Sequence, residues 1–230
     1  MSRNELRNFL RLLKRSPSGA VFNPWWEADA RNDIAPSAPT IRRKQLHAYL
    51  EKRLGKAQLA VIGEALGYRG GHFSGIPMTS ERMLLGRNKK VQLRSSDFLS
   101  GIRPRRTSKL DKCRDGFSEP TATIVWGTLL RLGLKPDQFV LWNAFPWHSF
   151  DLDRGLLSNR TPNDSEQTAG RPVLKAFVEL FPCDQIIALG KIAAAQLDQL
   201  SVDAQCIRHP ASGGAKLFRQ QIATIVNKLA

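Results

Sequence analysis

Apolar residues recur along the chain in two rhythms, one of three to four residues and one of short unbroken runs. Ile41, Leu46, Tyr49, Leu50 and Leu54 fall at helical spacing over residues 40–55, and Gly55 supplies a stop. The same spacing predicts helices over residues 121–134, 170–180, 192–200 and 217–229, with Pro172 in the first turn of the second. Thr79 can cap a further helix running to Leu85, with Glu81 and Arg82 in its first turn. Near the start, Leu6, Leu10, Leu12 and Leu13 stand among Arg3, Arg7, Arg11, Lys14 and Arg15, the pattern of a short basic helix. The unbroken apolar runs at 58–62, 139–142, 185–189 and 205–208 read as buried strands, closing at Gly63, Asn143, Gly190 and His209-Pro210. Residues 21–26 form an aromatic cluster around an Asn-Pro turn, and 35–39 reads as a linker.

Strands alternating with helices predict an α/β fold whose parallel sheet is covered on both faces. Such sheets bind ligands beyond the carboxyl ends of their strands. The unusual residues fall there. A loop with five glycines, residues 63–77, follows the first strand, and Asn143, Gly190 and His209 follow the others. These stretches are distant in sequence and meet on one rim.

The 230 residues fit a single domain, expected over 21–230, preceded by a basic segment at 1–20. Charge changes the picture. Lys and Arg number 35 against 20 Asp and Glu, a net +15. Residues 87–114 hold ten basic and two acidic residues, hence +8, with weak apolar periodicity, so a long basic loop is expected. Such an excess points to a polyanion, most often nucleic acid, with a solvated insertion as the alternative. No apolar stretch is long enough to span a membrane, and no secretory leader is legible, so a cytoplasmic protein is expected. Cys113, Cys183 and Cys206 are far apart and form no metal-binding motif.

Two rim residues carry candidate chemistry. The Asn143 amide offers one acceptor and two donors that can read a planar base edge, or it simply ends a strand. His209 can donate to a developing oxyanion, or it is a structural histidine. Bare glycines in the first loop let backbone amides approach a ligand.

In order along the chain, 63–67 (Gly-Glu-Ala-Leu-Gly), 75–81 (Gly-Ile-Pro-Met-Thr-Ser-Glu), 143–148 (Asn-Ala-Phe-Pro-Trp-His) and 209–212 (His-Pro-Ala-Ser) resemble the motifs of the uracil-DNA glycosylase superfamily. Residues 189–193 are similar to its strand-to-helix turn. The resemblance implies a three-layer α/β/α sandwich with a central four-stranded parallel sheet, acting as a monomer without metal or cofactor. It implies hydrolysis of the N-glycosidic bond of uracil in DNA after base flipping, with no strand cleavage. By carry-over Asn143 binds the uracil edge and His209 donates to uracil O2. Gly63, Ala65 and Gly67 bring backbone amides to the base. Ser212 and Gly213 enter the minor groove or hold phosphate, and Arg103, Arg105 and Arg106 contact the backbone.

The sequence also departs from the superfamily. Ala65 stands where the best-known members carry an acid or amide that places the water, which leaves Glu64 as a candidate helper. Met78 stands at the position of a base-stacking phenylalanine, so Met78, Phe73 or Phe145 covers the base. His148 sits at the pocket mouth or beside Trp147 as a structural residue. These changes keep two other readings open: a catalytically silent binder of uracil or abasic DNA, and a glycosylase for another base such as hypoxanthine.

Overall fold

A computed structural model describes residues 3–91 and 93–229. In chain order it contains α1 (Arg3–Leu12), β1 (Val21–Phe22), α2 (Ala38–Arg53), β2 (Leu59–Ala65), α3 (Gly71–Ser74), α4 (Glu81–Leu84), α5 (Ser95–Phe98) and α6 (Pro120–Arg131). There follow β3 (Phe139–Phe145), β4 (His148–Ser149), α7 (Asp164–Leu180), β5 (Gln185–Leu189), α8 (Lys191–Asp198), β6 (Gln205–Ile207) and α9 (Ala215–Val226). Strands β3, β2, β5 and β6 lie side by side in that order, all parallel. They are the four apolar runs of the sequence. β2 and β3 are uninterrupted because both faces are covered, while Gln205 and Cys206 of the edge strand β6 are exposed.

Side chains alternate across a strand, so Phe139 and Trp142 leave β3 on opposite faces. Phe139 meets Trp126 of α6 edge-on at 4.8 Å, and Trp142 stacks on Phe177 of α7 at 4.9 Å. Helices therefore flank both faces, giving the expected three layers. Strand β3 is a sheet edge, and α2 covers it. The Tyr49 hydroxyl accepts from Leu141 N at 2.8 Å, and Arg53 Nε donates to the Phe139 carbonyl at 3.0 Å. Buried Arg53 also donates to the carbonyls of Tyr49, Phe98 and Pro136, and its guanidinium lies 3.7 Å from the Tyr49 ring centroid. Unpaired edge groups thus find partners without a further strand.

The basic N-terminal helix is part of this packing. Leu6, Phe9 and Leu13 are buried, and Phe9 meets Trp142 at 5.2 Å. Arg7 and Arg11 face outward while its apolar stripe closes the core.

Three local expectations shift. Helix α7 begins at Asp164, not 170, because Asn163 and Glu166 form a capping box, each side chain bonding the other's backbone N–H at 2.9 Å. Pro172 consequently lies inside the helix. The cap of α4 is Ser80, which accepts from Met83 N, and that helix ends at Leu84. The described residues of 87–114 are pinned rather than free. Phe98 and Leu99 enter the core, and Glu81 binds the backbone N–H of both Thr107 and Ser108.

Candidate active site

The sheet order sets the order of the rim: Asn143 near the end of β3, Gly63 on β2, Gly190 after β5, His209 after β6. Gly63 and Asn143 are register partners. A Cβ on Gly63 would stand 2.7 Å from Asn143 Oδ1 and 3.4 Å from Met78 Sδ. Glycine is required here because the amide and the thioether converge on the space beside it. Asn143 is 1 % exposed, yet neither its Oδ1 nor its Nδ2 has a hydrogen-bond partner. Leaving a buried amide unmet costs about 1–3 kcal/mol per group, so this side chain is aimed at something that completes it.

Met78 is held in the left-handed region at φ +46°, a conformation that costs a side-chain-bearing residue about 1 kcal/mol or more. The loop fixes it there. Trp126 Nε1 donates to the hydroxyl of the next residue, Thr79, at 3.1 Å. The result is a thioether beside the Asn143 amide.

His209 is half-buried, and its Nδ1 accepts from Ala211 N at 3.1 Å. In the neutral ring that leaves the proton on Nε2. Burial, with the charge of Arg208 beside it, lowers the imidazole pKa. The ring is therefore a neutral donor near pH 7. Gly190, at φ +89°, brings the loop after β5 against it; a Cβ there would lie 3.7 Å from His209 Cβ. Ser212 (φ +50°) and Gly213 (φ +78°) turn the chain in the exposed loop beyond, and Arg208 Nη2 donates to Ser212 O at 3.4 Å.

The other sequence candidates are placed as follows. Glu64 lies between Gly63 and Ala65 in β2, and strand alternation sends its side chain to the face opposite Gly63. Ala65 contributes only a methyl group. Phe73 is fully buried between the rings of Phe117, stacked at 4.3 Å, and His72 at 4.4 Å, so neither face is open to a base. Phe145 is buried against Trp147 and the backbone of Gly170. Of the three stacking candidates, Met78 alone adjoins Asn143.

His148 is fully buried rather than at a pocket mouth. Its Nε2 reaches the Ser158 carbonyl at 2.7 Å, its Nδ1 reaches His72 Nδ1 at 3.1 Å, and His72 Nε2 reaches Asp29 Oδ2 at 3.2 Å. These contacts run in series from the Asp29 carboxylate to the Ser158 carbonyl. Burial lowers the His72 pKa, against the opposing hydrogen bond to Asp29. Burial pushes the Asp29 carboxyl up, but hydrogen bonds from His72 and Asn32 outweigh it and hold it at about 2. Burial, then the His72 charge, takes His148 down to about 3. Asp29 N donates to Asp33, which pairs with buried Arg42 at 2.6 Å.

Arg106, expected on phosphate, spends its guanidinium on the carbonyls of Ser108, Lys109, Cys113 and Arg114. Arg103 and Arg105 are exposed. A larger basic concavity lies elsewhere. An open cleft of about 790 Å³ is lined by Arg82, Arg87, Lys89, Lys90, Arg131 and Arg219, with Asp115 as its acid. Its members come from three separated segments, so the charge run at 87–90 was readable but its convergence with Arg131 and Arg219 was not.

Two further side chains near the first loop were not singled out from sequence. Asn159 Oδ1 accepts from Tyr68 N at 3.0 Å. Glu119 Oε2 is enclosed without a hydrogen-bond partner, and burial pushes the carboxyl up to about 7. No His, Cys, Asp and Glu cluster among the described residues could hold a metal, and no described helix is long and apolar enough to cross a membrane.

Comparison of the sequence with curated proteins gives no match. Among solved structures, the fold resembles that of wild-type Pedobacter heparinus SMUG2, with a TM-score of 0.61 at 13% identity over 98% of this chain and 97% of that one. At that identity the likeness concerns the fold. The family model described as the uracil DNA glycosylase superfamily matches residues 53–227, which include Gly63, Met78, Asn143 and His209. By that match the chain belongs to the uracil DNA glycosylase superfamily, a family of DNA-repair hydrolases.

Proposed function

We propose that this DNA glycosylase removes uracil, hydrolysing its N-glycosidic bond in a flipped-out nucleotide and leaving an abasic site. The observation that carries the reading is the buried Asn143 amide, with neither polar atom bonded. Uracil offers its complement: N3–H can donate to Oδ1 while O4 accepts from Nδ2. Both bonds would form only with a base fully inserted, so an edge inside a duplex is out of reach and the base must leave the stack.

Cleavage puts negative charge on the departing base. A neutral His209 with its proton on Nε2 would donate to O2 as that charge grows, and its lowered pKa keeps the ring in that form. One such donor contributes about 3–4 kcal/mol to the transition state. Met78 would cover the base face through its polarizable sulfur, and the cleft of Lys89, Lys90 and Arg219 would hold backbone phosphates.

Hypoxanthine presents a similar N–H and C=O pair, so the Asn143 edge alone does not separate it from uracil. Oligonucleotides carrying one uracil, one hypoxanthine or one mismatched thymine test the assignment. Expected is release of uracil, with Asn143→Ala slower by about 10²–10³. Release of hypoxanthine alone would reassign the base. No release of any base by the wild type would leave only a DNA-binding role.

A further inference from the structure

Hydrolysis of the glycosidic bond needs an oriented water as well as a held base. Asn143 and His209 are assigned to the base. On the water side, the first loop presents the methyl of Ala65, and Glu64 points to the other face of β2. Glu81 is buried and already accepts from Thr107 N, Ser108 N and the Ser108 hydroxyl.

One carboxyl against this loop is uncommitted. Glu119, immediately before α6, directs its side chain at the two glycines Gly67 and Gly70. A Cβ on Gly70 would collide with Glu119 Oε2, and one on Gly67 would stand 3.8 Å from Glu119 Oε1 and 3.6 Å from Asn159 Nδ2. The glycines leave room for two polar groups that converge over Gly67, a carboxyl acceptor and an amide donor. Oε2 is enclosed and has no partner. This loop begins at Gly63, under the Asn143 amide, and ends at Met78, on the other side of that amide.

We propose that Glu119, with the amide of Asn159, holds the attacking water and accepts its proton. The inference rests on the proposed glycosylase reaction. The water oxygen bonds to C1′ of the sugar. The C1′–N1 bond breaks, and its electron pair leaves with the base, spread toward O2 beside His209. The water proton passes to the Glu119 carboxylate, and the base later takes up a proton, which restores both. No other reactant is needed.

A base for this step works best when its pKa lies near the working pH. Burial lifts Glu119 to about 7, into that range. The groups packed against it, Gly67, Gly70 and the Asn159 amide, are uncharged. On the same loop, Arg69 is turned to the Tyr68 hydroxyl at 2.9 Å.

Single-turnover base release from a uracil oligonucleotide, followed between pH 5.5 and 9, tests the assignment. The wild-type rate should rise with pH and level above about 7. Glu119→Gln should lose about 10²-fold at pH 8 and lose that rising limb. Glu119→Asp should recover part of the rate, while affinity for an uncleavable uracil analogue in DNA stays within about threefold in both. Asn159→Ala should lower the rate and keep the limb. A Glu119→Gln protein that melts no lower than the wild type, cleaves within threefold of it and keeps the limb overturns the proposal. A wild type that releases no base overturns the glycosylase reading itself, and the two failures are told apart by the wild-type lane.

Discussion

Two buried polar clusters both lean on the glycine-rich loop after β2, and they differ in how their hydrogen bonds are met. In the first, Asp29, Asp33, Arg42, His72 and His148 form a closed circuit. Arg42 donates to both oxygens of Asp33 and to the carbonyls of Pro24 and Glu27, and the two imidazoles link Asp29 to the Ser158 carbonyl. In the second, Asn143 and Glu119 keep enclosed atoms with no partner. Low polarity around a buried group strengthens a hydrogen bond that is made and raises the cost of one that is not. The closed circuit therefore fixes the loop in place, and the open groups mark where something from outside is received.

The largest effect should follow from opening the closed cluster. Arg42→Ala strands the Asp33 carboxylate and empties the site over Pro24. Removing one partner of a buried ion pair costs about 3–5 kcal/mol, and urea unfolding should show a loss of that size. A loss under about 1 kcal/mol would mean that the circuit is dispensable and that closure does not separate the two clusters.

Asn143→Ala gives the opposite pairing. Catalysis should fall by the 10²–10³ stated above, about 3–4 kcal/mol of transition-state stabilisation. Stability should hold or rise, because the substitution removes two unmet polar atoms rather than two bonds. If Asn143→Ala unfolds as readily as Arg42→Ala, the amide is part of the scaffold and the contrast fails.

Glu119 sharpens the contrast through pH. Its folded-state pKa of about 7 lies above the ordinary 4.5, so between those values the native protein holds a proton that the unfolded chain releases. Stability must then fall as pH rises through that window, by up to about 3 kcal/mol once both states are ionised. Glu119→Gln lacks the proton and the penalty. The variant should match the wild type at pH 4.5 and exceed it increasingly toward pH 8 in thermal melts. A constant difference across that range would show that the carboxyl ionises as freely in the fold as outside it.

How far these clusters could be read in advance depends on whether their parts lie on elements of regular period. The four strands were legible as apolar runs, although β2 and β3 each continue two residues past Gly63 and Asn143, the expected stops. Asn143 and His209 were therefore placed on one rim by strand order alone. Glu119 follows no pattern. It stands outside any strand, and its meaning comes from two glycines about fifty positions earlier. Which of its two readings His148 would take was open for a related reason: its partner His72 lies 76 positions away, His72's partner Asp29 further still, and only the fold joins them. The start of α7 was legible in Asn163 and Glu166, a capping pair hidden behind the more conspicuous Pro172.

The smallest effect per residue concerns the surface, where the same distinction applies to arginines. Arg106 is closed, its guanidinium wrapped by carbonyls of its own loop, while Lys89, Lys90 and Arg219 line an open cleft. A cation that neutralises a phosphate releases a counterion, and each lost contact on duplex DNA should flatten the salt dependence of log K by about 0.9. Replacing Lys89, Lys90 and Arg219 by Ala together should lower the slope by as much as about 2.7, with little change in melting temperature. Arg106→Ala should do the reverse, lowering the melting temperature while leaving the slope unchanged, because what it holds is the turn from Ser108 to Arg114. Binding titrations of both variants against salt, on a duplex without lesions, decide the matter. If Arg106→Ala flattens the slope and the triple variant does not, the path of the DNA runs over residues 103–106, as the charge run alone suggested, and the cleft beneath α6 has no part in holding it.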